Sequence, residues 1–79
     1  MTPGIGLMKR RLEKEEDAIL LAISGIIKKY DLPANQVKTL ETKYDEGAGD
    51  WYVALGWDGK KTIIKMDSVQ GKITEIKEI

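Results

Sequence analysis

Pro33 divides this chain into two segments whose apolar residues repeat at different periods, and that change constrains the fold more than any other feature. Upstream the period is helical. At 100° per residue, Leu12, Ile19, Ile23, Ile26 and Tyr30 fall within a stripe about 60° wide. Leu20 and Ile27 widen it on one flank and Ala22 on the other, while Lys14, Asp17, Ser24 and Lys28 lie opposite. Acidic residues crowd the first turns and Lys28 with Lys29 closes the last one, the order that the helix macrodipole favours. Pro33 pushes Leu32 toward an extended conformation and stops the helix near Tyr30. The spacing therefore predicts a helix over 12–30. Residues 1–11, with Pro3, Gly4 and Gly6, read as a flexible arm, and 12–79 as a single domain.

Downstream of Pro33 the period falls to two. Val37–Tyr44 is rich in β-branched and aromatic residues, with Leu40, Thr42 and Tyr44 on one face and Val37 out of step, which predicts a bend or bulge near its start. The loop Asp45–Asp50 follows. Trp51–Trp57 is the strongest strand, carrying Trp51, Val53, Leu55 and Trp57 on one face and Tyr52, Ala54 and Gly56 on the other. Asp58-Gly59 is a hairpin signal that requires positive φ. Lys60–Met66 returns with Thr62, Ile64 and Met66 on one side, Asp67–Gly71 turns again, and Lys72–Ile79 closes the chain with Ile73 and Ile79 on one face and Ile76 on the other. Short connections enforce an antiparallel meander. The expected fold is α+β: an N-terminal helix packed on the Trp51/Val53/Leu55/Trp57 face of a four-stranded antiparallel sheet.

Composition narrows the function. Thirteen Lys and Arg balance thirteen Asp and Glu, so the chain lacks the basic excess of a nucleic-acid binder. It has neither Cys nor His, which removes disulfides, the usual zinc ligands and the commonest general base. Asp45, Glu46 and Asp50 could supply a carboxylate pair, but nothing apolar surrounds them in sequence to raise a pKa. They also lack the dense alternating acids of an EF-hand loop. Gly47-Ala48-Gly49 precedes a strand rather than a helix, so it is no phosphate cradle. Neither catalysis nor a cofactor nor a metal is expected. The ten-residue apolar run Ala18–Ile27 would span about 15 Å as a helix, half of a bilayer core, so no membrane insertion is expected. Lys9, Arg10 and Arg11 run into acidic residues rather than an apolar stretch, so the chain as written reads as cytoplasmic.

Contact surfaces remain. Leu21 points away from the helical stripe, and Gly25, near the polar face, would leave a flat patch one turn later. Tyr52 beside Ala54 and Gly56 forms a shallow apolar groove on the sheet face that the helix leaves uncovered. Val37–Tyr44, which includes Leu40, is the less protected sheet edge, open to a partner strand or to a second copy.

The C-terminal half resembles a PepSY domain. The residues that carry the resemblance are Asp50-Trp51-Tyr52-Val53, the Asp58-Gly59 turn, the Ile63-Ile64-Lys65-Met66 strand and the run Met66-Asp67-Ser68-Val69-Gln70-Gly71-Lys72-Ile73, and the match spans roughly 16–78. Met66 stands where the family usually has Val or Ile, and Gln70 where Thr is common. The resemblance implies a small cystatin-like module without catalysis of its own, an extracytoplasmic setting, and a modulatory or inhibitory contact with a protein such as a protease or an envelope protein. For Asp67 and Gly71 the physical expectation is structural: Asp67 accepts backbone N–H bonds two residues on, and Gly71 supplies positive φ.

Overall fold

The structure, a computed structural model, describes residues 12–79; the expected flexible arm, 1–11, lies outside them. One helix, α1 (Glu15–Tyr30), and a short 3₁₀ turn (Ala34–Gln36) precede four strands: β1 (Lys38–Asp45), β2 (Asp50–Trp57), β3 (Lys60–Asp67) and β4 (Lys72–Glu78). The strands form one antiparallel sheet in the order β1-β2-β3-β4. Helix α1 covers one face of it, giving the expected α+β architecture. No described helix is long and apolar enough to cross a membrane.

Local chemistry accounts for the boundaries. Glu15, Glu16 and Asp17 occupy the first turn of α1 and Lys28 and Lys29 the last. The helix stops at Tyr30 because Asp31 turns left-handed, at φ 54°, and donates its N–H to the Ile27 carbonyl. Its start is later than the periodicity predicts. Leu12 is anchored to the sheet instead: its N–H donates to the Ser68 carbonyl at 3.0 Å, and its carbonyl accepts the Trp51 indole N–H at 2.8 Å. Both partners lie at one end of the sheet, so Leu12 buries its side chain as a strap and not as a helical residue.

The core face of α1 is also rotated from the expected stripe. Ala18, Ala22 and Ile26 are fully buried, whereas Ile19, Ile23 and Tyr30 are partly buried on its flank. Small residues lie at the line of closest approach because they let the helix axis sit near the sheet. Gly25, expected near the polar face, faces β4: a Cβ there would collide with Ile73 Cδ1. Leu21, expected to point away, is half-buried against the core, and Leu20 is the exposed leucine of α1, at 66%.

Inside the sheet, Trp51, Val53, Leu55 and Trp57 alternate inward as expected and meet Thr62, Ile64 and Met66. Tyr30 stacks on Trp57 at 5.1 Å and Tyr44 on Trp51 at 4.8 Å, closing the core at both ends with tilted aromatic pairs. Two irregularities change the expected faces. In β1 the register steps from Thr39 opposite Leu55 to Glu41 opposite Ala54, leaving Leu40 as the extra residue of a bulge. In β4 it steps from Ile73 opposite Met66 to Glu75 opposite Lys65, leaving Thr74 extra, with its hydroxyl donating to the Lys65 carbonyl at 3.2 Å. The β4 bulge reverses the parity downstream of it. Ile73 and Ile76 both pack on the core, where alternation placed them on opposite faces, and Ile79 is exposed.

Candidate functional site

The sheet face opposite α1 can be read off the register row by row. Cross-strand neighbours share a face. Asp45, Asp50, Asp67 and Lys72 form the row nearest the two long turns; Lys43, Tyr52, Lys65 and Glu75 form the next; Glu41, Ala54, Ile63 and Lys77 the third. Gly56 lies beyond, between Lys38 and Lys61. The centre of this face is thus Tyr52, Ala54 and Ile63, rimmed by lysines and acids.

Leu40 joins them. Alternation put it on the face of Thr42 and Tyr44, which the register shows to be the inner one, opposite Val53 and Trp51. The bulge turns Leu40 outward, so that its Cδ1 lies 3.1 Å from where a Gly56 Cβ would stand. Glycine at 56 is what gives that leucine its seat. Tyr52 and Ala54 are half-buried here and Leu40 is 51% exposed. Beside them runs an open groove of about 700 Å³, lined by Glu41, Lys43, Tyr52, Ala54 and Ile63 among others. Of the predicted contact residues, the structure therefore brings Tyr52, Ala54 and Leu40 together. Leu21 belongs to the helix on the opposite face of the sheet and takes no part. Ile63 was not among the residues expected there, although its alternation with Lys61 and Lys65 carried the signal.

The turn residues hold the frame. Asp58 and Gly59 take φ of 48° and 76°, the left-handed pair of a two-residue hairpin turn. Asp67 Oδ1 accepts the N–H groups of Val69 at 2.9 Å and Gln70 at 3.1 Å, and Gly71 has φ 68°. The β1–β2 turn repeats this design: Asp45 Oδ1 accepts Gly47 N–H at 3.1 Å, and Gly49 has φ 73°. Oδ1 of Asp45 is therefore held by its own turn. Asp50 has Lys65 Nζ at 3.8 Å. Among the described residues, no group of three acidic side chains is placed to hold a metal ion. Of the two serines, Ser68 is buried with its hydroxyl 3.4 Å from that of Tyr44, whereas Ser24 is exposed on α1. Neither geometry presents a nucleophile beside a base.

No protein-family model, curated protein or solved structure matches this chain.

Proposed function

We propose that this chain is a non-enzymatic, PepSY-like protein-binding module that docks a protein partner on the uncovered face of its sheet. The observation that carries the reading is the convergence of Leu40, Tyr52, Ala54 and Ile63 on that face, with Gly56 left small enough to seat the leucine. An aromatic ring within an apolar patch, ringed by charge, is the composition of an interface hot spot and its rim. Lys43 flanks Tyr52 in its row, while Lys65 on the other side is within 3.8 Å of Asp50, so Lys43 favours a partner that brings an apolar side chain bordered by a carboxylate. A protease or an envelope protein is the partner class that the PepSY resemblance implies.

The test begins with capture from cytoplasmic and envelope fractions of the source organism, using wild type and Tyr52→Glu. The affinity of the retained protein is then measured with both purified partners. Because Tyr52 is half-buried on the outer face, the variant should keep the wild-type far-UV circular dichroism. Affinity should fall by at least about tenfold. Equal affinity for both forms, or no protein retained by the wild type, overturns the proposal.

A further inference from the structure

Strand β1 is one edge of the sheet: it pairs with β2, and no described strand lies beyond it. Seven of its residues stand in register with β2, opposite Gly56 through Asp50, and Thr42 is the middle one, opposite Val53. Bulged Leu40 drops out of this count. Along the outer face the seven positions read Lys38, Glu41, Lys43, Asp45, a strict alternation of charge. The inner positions are Thr39, Thr42 and Tyr44.

That pattern is self-complementary under a two-fold rotation. If a second copy pairs antiparallel with the axis through Thr42, and Leu40, whose side chain shares the outer face with Glu41, stays outside this ladder as it does outside the one with β2, Glu41 stands opposite Lys43 and Lys38 opposite Asp45. Each pair occurs twice. On the inner face Thr42 meets its own equivalent and Thr39 meets Tyr44. Because paired residues must share a face, the register can slip only by two positions in the pleat. Centring on Glu41 sets glutamate against glutamate and Lys38 against Lys43. Centring on Lys43 sets lysine against lysine and Glu41 against Asp45. Both alternatives place like charges directly opposite, which is destabilising. The edge thus specifies one register and rejects its neighbours.

We propose that β1 is a homodimer interface, pairing antiparallel with β1 of a second copy about a two-fold axis at Thr42 to make a continuous eight-stranded sheet. The charged residues involved are exposed along β1, so the free edge is available. Glu41 and Lys43 border both the dimer seam and the outer-face groove, whereas Tyr52, Ala54 and Ile63 lie inward of the seam, so the docking surface would be doubled on one side of the combined sheet.

Sedimentation over a range of protein concentrations tests this directly. Wild type should dimerise reversibly, and more weakly as salt rises, because exposed pairs are screened. Glu41→Lys should weaken the dimer by at least about tenfold. The double swap Glu41→Lys with Lys43→Glu should restore it. The chain has no Cys, so single-cysteine variants give an unambiguous second readout. Thr42→Cys should form a disulfide-linked dimer on mild oxidation, and Thr39→Cys should not. A monomer at every concentration, a dimer indifferent to Glu41→Lys, or a double swap that fails to restore pairing would each overturn the proposal. So would a monomer that captures a foreign protein through this edge. Tyr52 lies on β2 and outside the paired edge, so Tyr52→Glu should leave the sedimentation profile of the dimer unchanged, and failure of this inference and failure of the docking surface are separable.

Discussion

Thr62 sits on the inner face of β3, opposite Leu55, with no exposed surface and with no hydrogen-bond partner for its hydroxyl among the described residues. An unpaired buried hydroxyl costs about 1–3 kcal/mol. Valine places a methyl group in the same volume, keeps the stiff χ1 of a β-branched side chain, and suits a strand equally well. Thr62→Val should therefore raise stability by about 1–2 kcal/mol. In a domain of this size each kcal/mol moves Tm by about 4–8 °C, so the expected rise is about 4–16 °C. Thr62→Ser is the control: it keeps the orphan hydroxyl and deletes a buried methyl, which should cost about 1 kcal/mol. The assay is urea unfolding at one fixed protein concentration, since association would otherwise add to the apparent stability. A valine variant equal to or less stable than wild type would refute the reasoning. It would mean that the hydroxyl is satisfied, for example by a buried water that valine displaces.

Gly25→Leu, which drives a large side chain into Ile73 of β4, should destabilise by about 1–3 kcal/mol in the same assay despite the better helix propensity; an unchanged midpoint would show that α1 can lift off β4 at no cost. Trp51→Phe removes the indole N–H that Leu12 accepts, and should speed hydrogen exchange at the Leu12 amide while costing about 1–2 kcal/mol overall. Unaltered exchange would show that the Ser68 carbonyl alone holds the strap. Asp67→Ala removes the single oxygen that accepts two N–H bonds in the β3–β4 turn and should lower stability by about 1 kcal/mol. Gly71→Ala, at φ 68°, should cost about 1–2 kcal/mol. Equal stability in either would remove the turn argument, and calorimetric melts suffice to decide.

The element order, the antiparallel meander and the inward set of β2 were determined by the sequence alone. The reason is that each rests on local chemistry: the apolar period before and after Pro33, the Asp58-Gly59 turn, and the unbroken alternation from Trp51 to Trp57. The outer face of Tyr52 and Ala54 follows from the same alternation, since β2 carries no irregularity between them and the turn. Only the tertiary structure decided where α1 meets the sheet. Hydrophobicity favours the isoleucine stripe, but close approach favours Ala18, Ala22 and Gly25, and that preference depends on a surface the helix does not itself encode. The faces of Leu40, Ile73 and Ile76 were likewise settled by bulges. A bulge is one residue too many relative to a partner strand, so which residue is extra is a property of two strands in register; the out-of-step Val37 marks a bulge near the start of β1, as found, without showing that it falls at Leu40. The contact surface and the alternating edge both depend on that count. Their residues were visible in the sequence; that Leu40 leaves the ladder and Thr42 becomes its centre was decided across the sheet.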